Sequence, residues 1–509
     1  MRATLRSERA FFLFVLSGVA TNLILVSGCG NKPETHKLNT PPEMKTVAIS
    51  ADEKPDLLME SCLHHPTADH VVVEPHAAVN PQDPNNIVVA WGAIIAGEGR
   101  WVIRSAASFD GGKSWSAPLS VPLTTCTGVP MDKLDVATDP WVAFGPDGRS
   151  YISSQAYEGR AGGHGGLQQI RMAVSDDGGR TWKATAPAIT APGPVYKMDN
   201  SSIGVSAQGD AVFLMSTYFS PVPQEQKVGD EARSNTIGFG AVARSLDGGA
   251  TWDPVQKISP NVRGAYADLP QMVTDSRTGD LSIVYSSPYP CAGDPKLGNA
   301  IWILKSTDVG KTWTEPLRVS DYVPAQYPVL YPQSKETINV APDIVHPAID
   351  PETGRLFVVF NDGRFTNGSE WQIAVTSSTD AGSTWTIPAL VSRNSVGGAW
   401  LPSIAIGKNG QIGVSYYDVR PIKDSSSEPG LRANVWLSTF RLDEKGQIQE
   451  FQEKPVDGFL WASLPEEGYF HGDYFALVPV EDNFGVVYVK TTFADGGRKN
   501  ISSGVYFSR

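Results

Sequence analysis

Five segments of the chain repeat one eight-residue pattern, Ser-x-Asp-x-Gly-x-Ser/Thr-Trp: SFDGGKSW at residues 108–115, SDDGGRTW at 175–182, SLDGGATW at 245–252, STDVGKTW at 306–313 and STDAGSTW at 378–385. Fixed spacing kept through five copies does not arise from composition; it marks a repeat architecture. Each copy carries what a tight chain reversal needs. Glycine supplies the left-handed conformation, Asp and Ser side chains bond turn amides that have no ladder partner, and Trp packs on its own sheet. The pattern therefore reads as a scaffold element between a third and a fourth strand. A calcium loop is the competing reading, but the alternating carboxylates and terminal Glu of such loops are missing, so no metal is expected there.

Between the repeats the chain runs through apolar strands separated by turns rich in Pro, Gly, Asp and Asn. Seven second strands stand out: NNIVVAWG from Asn86, SYISSQAY from Ser150, AVFLMSTYF from Ala211, LSIVYSSPY from Leu281, LFVVFNDGR from Leu356, IGVSYYDVR from Ile412 and FGVVYVKTT from Phe484. A unit of about 55 to 78 residues holds four short strands, the size of one propeller blade. The 49 Gly and 38 Pro suit an all-β chain of many short strands. The expected fold is an all-β propeller of four-stranded antiparallel blades, seven preferred and six as the alternative. Residues 67–74 are expected to close the ring by pairing with the last blade.

The N-terminus has a basic start, MRATLRSER, and then an apolar run that ends in small residues before Cys29. It resembles a bacterial lipoprotein signal, with Val26-Ser27-Gly28 before Cys29 as the lipidated residue. The run is short for a membrane-spanning helix, which is the competing reading. Residues 1–28 are thus assigned to a signal peptide, 29–60 to a polar Pro-containing tether and 61–509 to the propeller. Export to the envelope follows, with membrane contact through the lipid only and the outer membrane as the expected site in a Gram-negative cell. Two of Cys62, Cys126 and Cys291 could pair in an oxidising compartment, and the odd number leaves the pairing open. A net charge of -12 argues against nucleic acid as a partner.

The eight-residue repeats resemble Asp boxes, the bacterial neuraminidase repeat, and over residues 66–509 the chain is similar to members of the sialidase-like propeller superfamily. Sialidases hold a substrate carboxylate with three arginines, attack with a tyrosine activated by a glutamate, and use an aspartate as acid and base. The resemblance implies Arg364 and Arg420 for the clamp and Tyr417 or Tyr474 for the nucleophile, with Tyr416 and Tyr469 as further choices. It also implies Glu467 for the tyrosine's base and Asp139 or Asp268 for the acid. The Phe/Tyr-Arg-Ile-Pro motif of sialidases is absent: VVVEPHAAVNP stands where that first arginine is expected. Arg104 is a substitute on a third strand.

Propeller geometry puts recognition at the starts of first strands and the ends of second strands, opposite the Asp boxes. Tyr266, Asp343, His346, Asp362, Asp418, Trp400, His471 and Asp473 are the expected substrate-binding residues there, beside Glu74, His76 and Trp141. Carboxylates, guanidinium groups and rings in one mouth suit carbohydrate. Bland readings stand beside these: Asp362 with Arg364 and Asp418 with Arg420 as ion pairs fixing their own loops, the histidines as partners of loop carbonyls, and the tryptophans as packing between blades. No cofactor is expected, and no nucleophile elbow, zinc motif or phosphate loop is present. Two functions remain, both directed at the envelope: a glycoside hydrolase of exo-sialidase type, or a non-catalytic propeller that binds a glycan or a protein.

Overall fold

The computed structural model describes residues 44–50, 71–95, 100–129, 134–159, 166–191, 197–221, 236–258, 267–287, 298–325, 341, 343–393, 395, 397–419, 431–461, 470–493 and 501–509. Within residues 43–509, seven antiparallel sheets follow one another as the blades of a propeller. Blades 1, 3, 4, 5 and 6 are each four consecutive strands, and blade 2 adds a second short outer pairing on its third strand. The inner strands are Val71–Asn80, Val136–Phe144, Lys197–Val205, Asp268–Thr274, His346–Ile349, Ala399–Ile406 and Ala476–Val480.

Ring closure differs from expectation. Blade 7 takes its outermost strand from Thr46–Ala48, which pairs antiparallel with Ile501–Ser508, so part of the segment read as tether belongs to the fold. The described part of the 67–74 segment expected to join the last blade belongs instead to Val71–Asn80, which pairs with Asp83–Ile95 as the inner strand of blade 1. It meets blade 7 through side chains: Ser503 Oγ accepts from Val72 N at 2.6 Å and donates to Val72 O at 2.9 Å, and Val72 and Ala77 pack with Val478 and Val487. A closing strand from the opposite end of the chain joins first and last blades without leaving unpaired edges on both.

The core lies between blades. Phe213 and Met215 of blade 3 pack against Leu281, Ile283 and Tyr285 of blade 4, and Phe357 and Val359 of blade 5 against Ile412 and Val414 of blade 6. The other neighbours do likewise. Every sheet is therefore covered on both faces, which is why the second strands read as nearly unbroken apolar runs.

The Asp boxes hold these interfaces. In all five, the Ser hydroxyl donates to Asp Oδ1 at 2.7–2.8 Å and accepts the N–H of the second turn residue at 2.8–2.9 Å. The Trp does not simply cover its own sheet. Trp115 meets Phe507 of blade 7 with ring centroids 5.3 Å apart, Trp313 meets Phe213 of blade 3, and Trp252 Nε1 donates to Ala186 O of blade 2 at 3.1 Å. The box fastens each blade to the one before it. At Gly112, φ is +84° and a Cβ would stand 2.1 Å from the Phe507 ring, so both conformation and space demand glycine.

Candidate functional site at the channel mouth

Inner strands enter the molecule on the face opposite the Asp boxes, and there five of them share a defect. The ladder is interrupted by a bulge between Val73 and His76, Thr138 and Trp141, Asp199 and Ser202, Asp268 and Gln271, and Trp400 and Ser403. At each bulge one non-glycine residue is left-handed: Glu74, Asp139, Asn200, Leu269 and Leu401. Such a residue costs on the order of 1 kcal/mol or more, and repeated use of the same strained position is a pointer to function. A bulge re-aims side chains out of the ladder.

Carboxylates are the result. Glu74 of blade 1, Asp139 of blade 2, Asp199 of blade 3, Asp268 of blade 4, Asp343 before the inner strand of blade 5 and Asp473 before that of blade 7 act on one another electrostatically. Asp199 is exposed and Asp343 and Asp473 are half-buried, whereas Glu74, Asp139 and Asp268 are buried. Burial raises Asp139 to about 7, helped by the charge of Asp199. Burial, then Asp139 and Asp199, raises Asp473 to about 8. Glu74 and Asp268 are driven well above the usual carboxylate range by burial first and neighbouring carboxylates second. Asp268 also hydrogen-bonds to Asp343. At neutral pH the mouth thus holds proton-bearing carboxyls.

Beneath this rim lies a layer of rings. His76 stacks on Trp141 with centroids 3.7 Å apart and planes 22° from parallel. Tyr474 packs edge-on to Trp141 at 5.4 Å, and its hydroxyl donates to Pro140 O at 2.9 Å. His76 Nδ1 accepts from Val142 N at 3.0 Å, so the ring proton sits on Nε2. Burial lowers His76 to about 3 and His346 to about 4. Both are neutral imidazoles.

The structure brings together Asp139, Asp268, Asp343, Asp473, His346 and Tyr474 of the expected residues. Others stand elsewhere. Arg364 binds Asp362 through Nε and, through Nη2, Ser320 Oγ and Asp321 O at the end of blade 4's outer strand. Asp362 Oδ1 also accepts from Arg364 N at 2.8 Å and Val323 N at 3.1 Å. This pair ties the blade 4 to blade 5 connection, as in the loop-fixing reading. Asp418 is buried in its own blade and accepts from Trp436 Nε1 at 2.8 Å. Trp400 and Tyr417 are packed between blades 6 and 7; the Tyr417 hydroxyl accepts from Val489 N at 3.2 Å, and burial pushes its phenol up. His471 stacks on Trp461 at 4.3 Å beside Phe459, away from loop carbonyls. Arg104 spends its guanidinium on Ser120 Oγ and Pro118 O of its own blade. Tyr266, Arg420, Glu467 and Cys29 lie outside the described residues.

Asp199 escaped the sequence reading. Four of the five left-handed bulge residues precede proline, at Pro75, Pro140, Pro270 and Pro402, whereas blade 3 reads Asp199-Asn200-Ser201. Only register against the other inner strands exposes it. Cys126 is in a disulfide, and the chain's three other cysteines lie outside the described residues.

Cavities of about 410 Å³ and 260 Å³ open between blades 1 and 2 and between blades 5 and 6 on the Asp-box face. In the larger, Asn86 already spends its amide on Ser108 O and Gly178 O. Its polar lining serves to join blades.

No family model matches the chain, and no curated protein does. Among solved structures it is similar to a protein of unknown function from Dyadobacter fermentans, at 13% identity and a TM-score of 0.45, covering 92% of this chain and 98% of that one. It is also similar to the NanB sialidase of Streptococcus pneumoniae, at 14% identity and a TM-score of 0.41, over 90% of this chain and 72% of that one. A third is the α-L-arabinofuranosidase Arb93a of Fusarium graminearum, at 14% identity and a TM-score of 0.45, over 75% of this chain and 99% of that one.

Proposed function

We propose that the chain is a glycan-directed propeller that hydrolyses a glycosidic bond at the carboxylate mouth. The carrying observation is the convergence of carboxyls from six blades, with Asp139 raised to about 7 by burial beside the exposed Asp199. Glycoside hydrolysis needs that pairing, one carboxyl that still bears a proton for the leaving oxygen and one carboxylate that meets the developing positive charge. Asp139 is the proton donor in this reading and the exposed Asp199 its partner. Asp473 is the second donor at hand.

The exo-sialidase version asks for a cationic clamp. Arg364 is engaged at the blade 4 to blade 5 connection, and a rim of carboxylates repels a carboxylate substrate. An uncharged or cationic sugar fits the mouth better. The test is release of fluorophore from a panel of neutral, amino and sialyl glycosides by the intact protein and by Asp139→Asn. Loss of a proton donor lowers turnover by roughly 100-fold or more. Turnover confined to sialosides reinstates the sialidase version. No turnover with retained glycan binding leaves the non-catalytic module.

Envelope anchoring through Cys29 belongs to the same proposal. It is supported by the N-terminal pattern and by the Cys126 disulfide, which fits an oxidising compartment. Metabolic labelling with a fatty acid should mark the wild-type chain and not Cys29→Ala; equal labelling of both would remove the anchor.

A further inference from the structure

The ring layer beneath the carboxylates is assembled across the propeller axis. His346 of blade 5 lies nearly parallel to Trp141 of blade 2, 12° apart in plane with centroids 6.3 Å apart, and blades 2 and 5 stand on opposite sides of a seven-membered ring. Each floor residue follows a rim carboxylate closely in sequence: His76 after Glu74, Trp141 after Asp139, His346 after Asp343 and Tyr474 after Asp473. Rim and floor form one bowl.

His346 is 6% exposed and has no hydrogen-bond partner among the described residues. A buried neutral imidazole without a partner is an unused acceptor and donor at the bottom of the bowl. Above it, the neighbouring charges that act most on Glu74, Asp139, Asp268 and Asp473 are other carboxylates. None of these four is in an ion pair among the described residues. Such a rim is relieved by a positive ligand. Among the described residues, no group of three His, Cys, Asp or Glu side chains is placed to hold a metal ion. Charge spread around a rim instead matches a cation carried on a larger body, with several N–H donors to share among separate acceptors.

We propose that the bowl binds the protonated amine of an amino sugar, so that the preferred glycan carries free, non-acetylated amino groups. The ammonium displaces protons from the rim carboxyls to solvent and the carboxylates so formed neutralise it, His346 accepts one of its N–H groups and the Trp141 layer lies under the sugar. The proposal rests on the mouth being a glycan site, but it does not require turnover.

Calorimetric titration of the full chain at pH 6 with a glucosamine tetramer, methyl glucosaminide and methyl galactosaminide, each against its N-acetyl counterpart, decides the matter. At least one free amine should bind about tenfold or more tighter than its acetylated form, with the advantage shrinking as salt is raised. Asp199→Asn, at an exposed position, should cut that advantage severalfold, and His346→Leu should cut it further, with folding of both variants confirmed by melting. Equal binding of the two forms, tighter binding of acetylated sugars, or no binding of any probe overturns the proposal. Amine-selective binding without hydrolysis on the glycoside panel would remove the catalytic reading and keep this one; hydrolysis of neutral glycosides without amine selectivity would do the reverse.

Discussion

Val309 and Ala381 occupy, in the fourth and fifth Asp boxes, the position that Gly111, Gly178 and Gly248 fill in the other three. The glycines have φ near +72°, and Val309 and Ala381 are held at +56° and +55°. A β-branched side chain crowds the carbonyl in this region more than a methyl does. Glycine removes that strain but adds unfolded-state freedom worth roughly 0.5–1 kcal/mol, so the net sign reports which term is larger. Val309→Gly should stabilise the protein by about 0.5 kcal/mol or more and Ala381→Gly by less. Urea unfolding of both variants checks the order, and a larger gain at Ala381 would refute the strain argument. At this scale much was legible. The box residues, Asp139, Asp268 and Asp473 could be picked out because they sit at fixed offsets from visible strands. Arg364 could not be placed, because an arginine near a strand end reads alike whether it faces the axis or reaches sideways to Asp321.

Between elements, five blades send a donor to the third-to-fourth turn of the next. Arg509 donates to Gly111 O at 2.9 Å, Asn86 to Gly178 O at 3.0 Å, Arg244 to Val309 O at 2.8 Å, and Lys305 to Ala381 O. Blade 6 has no Asp box, yet the device persists. Arg355 of blade 5 donates to Leu442 O at 2.8 Å and Asp443 O at 2.7 Å while holding Ser377 Oγ at 2.8 Å. The seven-blade count and the strand order followed from the repeat spacing. These staples did not, because each joins positions some 65 to 398 residues apart with nothing local to mark the pair. The closing strand Thr46–Ala48 was hidden for a related reason: three residues in a polar stretch carry no periodicity, and only the open edge of blade 7 calls for them. Arg355→Met keeps the apolar stem and removes the bonds to three acceptors. It should cost about 2–4 kcal/mol, since two partly buried carbonyls then lose charged donors. A loss below about 0.5 kcal/mol in chemical unfolding would mean water replaces the guanidinium freely.

Across the whole molecule the two faces titrate in opposite senses. In the Asp boxes, hydroxyl and amide donors from Thr251 hold Asp247 at about 2, and those from Thr384 do the same for Asp380. Their folded values lie below the unfolded one, so their contribution is complete above about pH 4 and is lost as pH falls toward 2. At the mouth the sign reverses. Burial holds Asp139 at about 7 and Asp473 at about 8, and below about pH 6.5 the buried neutral His76, His346 and His471 oppose them, because the unfolded chain protonates those imidazoles and the folded one does not. Between about pH 6.5 and 8 only the carboxyls count, the folded chain binds more protons than the unfolded one, and stability falls as pH rises. The melting temperature should therefore decline from pH 6.5 to pH 8, by an amount that reflects a few kcal/mol because these carboxyls are buried. Asp139→Asn keeps the shape and removes one titration, so it should flatten the decline while leaving the acid limb below pH 4 unchanged. A wild-type melting temperature that stays level or rises from pH 6.5 to 8 would show that the mouth is not the desolvated carboxyl cluster described here. Addition of the amine ligand at pH 7 should then fail to steepen proton release, because no bound protons would be there to expel.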